Sequence, residues 1–273
     1  MMNISKSSVN MAFVLATLNS LANAAWGAQS LCLIEPYARI ALHSPITAPI
    51  SAIMVDRGSN VRKAQVLVTL DSSAEQAALE IAKYRAVMEG AIKSAEARLT
   101  HAKERLKRAE QMRQQNYVSA QERDDAEAEA QIAAADLIEA KDNRELAKLE
   151  AQRLKAEVDR RIIRSPINGV VTERLQSPGE LAQVGDAAGA ILKLAQTDPV
   201  RVEVVLPAAM HGKTKVGDRI TIKPEAPFTG SYRAVVKVVD RVIDSASGTF
   251  GIRLEIPNPK GHVLAGVKCT AEL

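Results

Sequence analysis

Ser44-Pro45-Ile46-Thr47-Ala48-Pro49-Ile50 near the start of the chain and Ser165-Pro166-Ile167-Asn168-Gly169-Val170-Val171 past its middle are two versions of one pattern, set 121 residues apart. At the same offset Gly58 matches Gly179 and Ala64 matches Gly185, with alternating β-branched stretches between them. Two similar β-halves, residues 44–71 and 163–198, therefore bracket whatever lies between them. A β-domain made of two such halves accepts an insertion at an exposed hairpin tip, because the chain ends there are close together and face solvent.

The insertion, residues 72–162, reads as a helical hairpin. Apolar residues recur at Ala74, Ala78, Ile81, Met88, Ile92, Ala95, Leu99, Ala102, Leu106 and Ala109, an alternating three-and-four spacing broken at Arg85. The returning arm repeats the spacing at Ala126, Ala130, Ala133, Leu137, Ala140, Ala147, Ala151, Leu154 and Val158, broken at Arg144. Ser72 with Glu75 and Ser119 with Glu122 have capping-box spacing, so each is expected to open an arm. Between the arms stands only Asn116-Tyr117-Val118, a poor helix run, which predicts two antiparallel helices of about 43 residues and roughly 65 Å each. Small alanines let such helices approach closely.

After Thr197-Asp198-Pro199 the pattern changes to short strands: Val200 to Leu206, Arg219 to Ile222, Tyr232 to Val239, Thr249 to Ile256 and Lys268 to Leu273. Turn signals separate them, at Gly217-Asp218, Ser245 to Gly248, Asn258-Pro259 and Gly266. Residues 199–273 are thus expected to form a small antiparallel barrel, which closes its own edges.

Composition agrees with a fold of seams and small sheets. The 273 residues are 47% apolar but only 3% aromatic, so helix–helix contacts are a better core than one large globular interior. A net charge of +4 comes from intermixed acids and bases, without the basic stripe that nucleic-acid binding needs. At the N-terminus Lys6, the apolar run Met11 to Leu21 and Ala22-Asn23-Ala24 read as a signal peptide, residues 1–24, cleaved on export. A membrane anchor is the weaker alternative, because the run is interrupted at Asn19 and Asn23 and falls short of about 20 residues. Residues 25–43 are expected to be an N-terminal strand that joins the barrel. An oxidising compartment makes a disulfide between Cys32 and Cys269 the expected state, with two buried free thiols as the alternative.

The half-motifs Ser44 to Leu67 and Ile163 to Thr172 with Pro178-Gly179-Glu180, the coiled coil between them, and the segment Val242 to Asn258 with Leu264 to Gly266 resemble the periplasmic adaptor or membrane-fusion proteins of tripartite efflux pumps and type I secretion, the haemolysin-D-like proteins among them. The resemblance covers nearly the whole mature chain. It implies an elongated α+β protein: an α-helical coiled-coil hairpin inserted in a lipoyl-like β-sandwich, followed by a small antiparallel β-barrel. It also implies a non-enzymatic periplasmic subunit, peripherally associated with the inner membrane through its transporter. The implied partners are an inner-membrane transporter of RND or ABC type, an outer-membrane channel, and further copies of the chain as a trimer or hexamer. In that family an Arg, a Leu and a Ser at fixed spacing on the hairpin tip meet the channel, and Arg108, Met112 and Ser119 occupy that spacing here. Methionine for leucine keeps the volume and an apolar knob. Gly58, Gly179 and Gly185 fall on the turns of the lipoyl-like halves, whereas Ala64 stands where the family commonly has glycine, so that turn avoids a left-handed conformation or tolerates strain. Many relatives continue into a membrane-proximal domain, and without one the barrel is the expected transporter-facing surface.

Other function classes fit less well. A lipoyl or biotinyl carrier presents a lysine on the tight turn that the inserted hairpin replaces at Asp71-Ser72-Ser73. For an enzyme, the sequence has no nucleophile motif, no phosphate-cradling glycine loop and no paired carboxylates outside the coiled coil, where Asp124-Asp125 read as a solvated face. His43, His101, His211 and His262 are scattered, and Met210-His211 lacks a further ligand at metal-binding spacing, so neither a metal nor a cofactor is expected. A purely structural exported coiled coil would not need the bracketing β-halves.

Overall fold

The computed structural model describes residues 29–185 and 189–273; the expected signal peptide, residues 1–24, lies outside them. Two compact units are formed, one of Ala38–Gln196, the other of Thr197–Leu273 with the described residues up to Tyr37. No helix among the described residues is long and apolar enough to cross a membrane.

In the first unit the duplication seen in the sequence becomes an exchange of partners. Strand β1 (Gln29–Leu42) leads into β2 (Ala48–Ile53), β3 (Asn60–Val61) and β4 (Val66–Leu70). After the helices come β5 (Ile162–Arg164), β6 (Gly169–Arg174), β7 (Leu181–Ala182) and the start of β8 (Leu192–Pro207). β3 pairs with β6 through Asn60↔Val170 and Val61↔Gly169, and β7 pairs with β2 through Leu181↔Pro49 and Ala182↔Ala48. Adding 121 to each first-half residue, and subtracting it from each second-half one, turns the first pairing into the second. The backbone bonds obey the same exchange: Gly58 donates to the Val171 carbonyl and Gly179 to the Ile50 carbonyl, both at 2.8 Å. The buried hydroxyls of Ser44 and Ser165 each donate to the carbonyl two residues on, Ile46 and Ile167. Each half thus completes the other's sheet, and Ile50, Leu67, Val68, Val171, Leu192 and Leu194 fill the core between them.

Gly58, Gly179 and Gly185 all adopt left-handed φ, 87°, 91° and 93°. Ala64 shares that conformation at φ 67°, so the turn tolerates the strain rather than avoiding it, at a cost of about 1–2 kcal/mol for a residue with a Cβ.

The hairpin departs from β4 and returns to β5, which are hydrogen-bonded neighbours with Thr69 opposite Ile162. Its arms are α1 (Ser73–Val87), α2 (Gly90–Gln114) and α3 (Ala120–Asp159). The expectation of one continuous first arm is corrected: Met88 is extended, ψ 131°, and separates α1 from α2. The seam explains why. In α2 and α3 the expected residues face inward, with Ala95, Ala102, Ala109, Ala126, Ala130 and Ala133 buried. In α1 the buried residues are instead Leu79, Ala82 and Ala86, and the expected Ala74, Ile81 and Met88 lie exposed. From Ala86 to Ile92 the seam advances six residues where a heptad needs seven, so a continuous helix would rotate one segment out of contact. The break resets the phase. Arg144 fills it, donating to the released Ala86 carbonyl at 3.3 Å and pairing with Glu89 at 3.5 Å.

A second correction concerns the α1 start. The Ser72 side chain makes no cap bond; Asp71 accepts the Ser73 amide at 3.1 Å instead, and that bond holds its carboxyl below the ordinary Asp range. Glu75, freed from a capping box, pairs with the half-buried Arg161, whose guanidinium also donates to the Asp71 carbonyl. The foot of the outgoing arm is thereby clamped to the foot of the returning one.

In the second unit β1, β12 (Val267–Glu272), β9 (Arg219–Pro224), β10 (Tyr232–Val239), β11 (Thr249–Ile256) and β8 follow one another, and β1 pairs with β8 to close a six-stranded barrel. Alternation does the work: Val200, Val202, Val204 and Leu206 of β8 and Phe250, Ile252, Leu254 and Ile256 of β11 point into one buried core. Each such side chain contributes about 1.5–3 kcal/mol by leaving water. The buried Asn258 spends its amide on the Thr197 and Val263 carbonyls and the Val263 amide, so no polar group is stranded there. Cys32 and Cys269 are opposite residues of the β1–β12 pair, 4.8 Å apart at Cα, with their sulfurs joined.

Candidate functional site

The far end of the hairpin is built from two opposed helix terminators. α2 closes in a Schellman-type cap: the Asn116 amide donates to the Arg113 carbonyl at 3.0 Å and the Tyr117 amide to the Met112 carbonyl at 2.9 Å. Both bonds require a left-handed residue between them. Asn116 takes that role at φ 59°, as asparagine does more readily than other residues with a Cβ. α3 then restarts with Ser119 as N-cap, its hydroxyl accepting the Glu122 amide at 3.1 Å. The turn is therefore short and held by hydrogen bonds at both ends.

Arg108, Met112 and Ser119 all lie at this end. Arg108 and Met112 are one helical turn apart and share a face of α2. Met112 is 46% exposed, and Arg108 is exposed with no ion-pair partner among the described residues. Cations further down the arms are paired across the hairpin, Arg105 with Glu129 and Arg98 with Asp136 at 3.9 Å. Such exposed pairs contribute under about 1 kcal/mol each and chiefly set register. Ser119 has its hydroxyl committed to the cap. Sequence reading took Asn116-Tyr117-Val118 only as a helix break and so passed over Tyr117, which is 74% exposed. The signal for it is the asparagine before it, because a left-handed cap residue fixes where the next residue emerges.

The side of the hairpin carries a second apolar surface. Ala74, Ile81 and Met88, seven residues apart, form a stripe that turns away from the intra-hairpin seam. Ile81 (57% exposed) and Leu146 of α3 (62% exposed) line one groove of about 550 Å³ together with Ala78, Ala82 and Leu154, with Arg85, Glu150 and Arg153 also in its lining. The expectation that Ala74, Ile81 and Met88 pack in the seam is corrected, since all three are exposed.

The remaining sequence candidates are dispersed. Gly58, Gly179 and Gly185 serve turns of the β-halves, and Cys32 and Cys269 lie within the barrel unit. Among the described residues no group of three or more His, Cys, Asp or Glu side chains is arranged to hold a metal.

Residues 84–152 match the family model described as the RND MFP alpha-helical hairpin domain. An uncharacterized protein of Haemophilus influenzae is 26% identical over 234 residues, covering 85% of this chain and 53% of its own length. The multidrug efflux pump subunit AcrA of Escherichia coli K12 is 26% identical over 244 residues, 82% of this chain and 57% of that protein. The chain thus spans little more than half the length of the curated relatives it matches. Solved structures that share the fold include MacA from Actinobacillus actinomycetemcomitans, with TM-score 0.68 and 21% identity over 89% of this chain and 76% of that one, and the membrane fusion protein Spr0693 from Streptococcus pneumoniae R6, with TM-score 0.62 and 15% identity over 89% and 97%.

Proposed function

We propose that this chain, a membrane fusion protein of the periplasmic adaptor type, is the non-enzymatic link between an inner-membrane transporter of RND or ABC type and an outer-membrane channel. The observation that carries the reading is the hairpin end. A 40-residue helix, about 60 Å long, is mounted on a β-domain and ends at a hydrogen-bonded turn beside an exposed methionine and an arginine that has no ion-pair partner among the described residues. A spacer alone needs no such display. Arg108 and Met112 are the contact residues under this reading, and Ser119 sets the turn that presents them. Periplasmic placement agrees with the bridged cysteines, since disulfides persist in oxidising compartments.

The test is in-cell photo-crosslinking from position 115 of the full chain, with identification of the captured protein. Capture of an outer-membrane channel, reduced at least tenfold by Arg108→Asp, is the expected result; capture of no envelope protein by the exported, folded chain contradicts it.

The same reading has several copies standing side by side, as a trimer or hexamer, and the lateral stripe supports it. Ile81 on α1 and Leu146 on α3 leave exposed apolar side chains along one flank of the hairpin, which a neighbouring copy would cover. Ile81→Asp with Leu146→Asp is expected to shift the assembled protein toward monomer in analytical ultracentrifugation while leaving its helicity unchanged. Equal sedimentation of the variant and the parent removes the stripe from the assembly.

A further inference from the structure

Only 3% of this chain is aromatic, and in such a chain a tyrosine held at the extreme end of a hairpin needs a reason. We propose that Tyr117 is a second anchor of the tip contact, an aromatic knob that seats in an apolar depression of the outer-membrane channel and sets how selectively the tip is accepted. The inference rests on the adaptor reading above and adds a residue to it.

The argument is one of presentation. Tyr117 follows the left-handed Asn116, and its amide is bonded to the carbonyl of Met112, so its backbone is fixed to the residue already assigned to the contact. In caps of this kind the residue after the left-handed one is commonly apolar and packs back on the helix. Here the ring is 74% exposed instead, so the cap holds the backbone while the side chain is left toward solvent. A tyrosine has only two side-chain torsions to order, and with the backbone already set, the entropic cost of docking it is small. Aromatic anchors presented this way dominate interface energetics, while Arg108, further down α2, supplies orientation and rate of encounter. Ser119 and Asn116 act through the turn and touch the partner through Tyr117 and Met112.

The experiment repeats the crosslinking from position 115 in the full chain with Tyr117→Ala, Tyr117→Phe and, as a control, Tyr84→Ala. Tyr84 lies on α1 and is 69% exposed, so it has the same chemistry at a place away from the tip. Expected are a loss of channel capture of about tenfold or more for Tyr117→Ala, retention within about threefold for Tyr117→Phe, and no change for Tyr84→Ala. Thermal melting of the purified Tyr117→Ala protein should coincide with that of the parent, because the removed ring packs on little. Capture by Tyr117→Ala at the parent's level overturns this inference and leaves the adaptor reading standing. Loss of capture accompanied by a lowered melting temperature overturns it too, since the ring is then structural. Failure of the parent itself to capture a channel overturns both.

Discussion

Gly169→Ala is expected to destabilise the lipoyl-like unit by about 3 kcal/mol or more, although Gly169 has no left-handed backbone to protect. A Cβ built there lies 2.1 Å from the Ala195 carbonyl oxygen, a backbone atom in the neighbouring β8 that no rotamer change can move aside. Relief requires β6 and β8 to separate, and Val171, Leu192 and Leu194 of the shared core sit on those two strands. The duplication supplies the contrast. The equivalent residue of the first half is Ala48 in β2, and the residue 121 positions before Ala195 is Ala74, which lies in α1 and not on a neighbouring strand. Gly58→Ala should cost less, about 1–2 kcal/mol, because it meets nothing within 4 Å and pays only for its positive φ. Urea titration of both variants followed by circular dichroism gives the order; Gly58→Ala emerging as the more damaging would mean that the β6–β8 approach is not fixed.

Replacing Cys32 and Cys269 together by alanine is expected to lower barrel stability by about 3–5 kcal/mol. The bridge joins the first and last strands of the barrel across a sequence separation of 237 residues. Most of that separation is Ala38–Gln196, a compact unit of its own. If it stays folded while the barrel opens, the restrained loop is effectively shorter and the loss falls toward the lower value. Barrel unfolding, reported by hydrogen exchange at β8, β9 and β11, should move to lower urea, and helicity from the hairpin should not. Identical barrel transitions with and without a reductant in the parent protein would falsify a stabilising bridge.

Much of this architecture was legible because the relevant signals are local or repeated. Ser44 and Ser165 announce the two halves, and the 121-residue offset carries through to the strand pairings. The α2 and α3 seam was legible because only one apolar stripe runs along that part of each helix. α1 carries two, Leu79-Ala82-Ala86 and Ala74-Ile81-Met88, and periodicity alone cannot say which one meets α3; the longer side chains favoured the wrong choice. The relation is decided by phase across Met88, which depends on the returning helix and hence on residues such as Arg144, 58 positions from the Ala86 it bonds. The start of α1 was misread for a related reason. Ser72 has the right spacing to Glu75, but Asp71 stands nearer the first free amide and Arg161 competes for Glu75. At the tip, spacing picks out Arg108, Met112 and Ser119, whereas the exposure of Tyr117 follows from the backbone angle of its neighbour, which composition does not encode.

Because β4 and β5 are adjacent strands, the hairpin leaves and re-enters the β-domain at one doorway, with Thr69 facing Ile162. The span to be bridged there is the same whatever lies beyond it. Reach is consequently a free parameter of this protein: whole heptads can be added to or taken from α2 and α3 in matched pairs, above the Arg144 insertion, without altering a contact in the mount. The β-domain is a fixed socket for a coiled coil whose length the socket does not set.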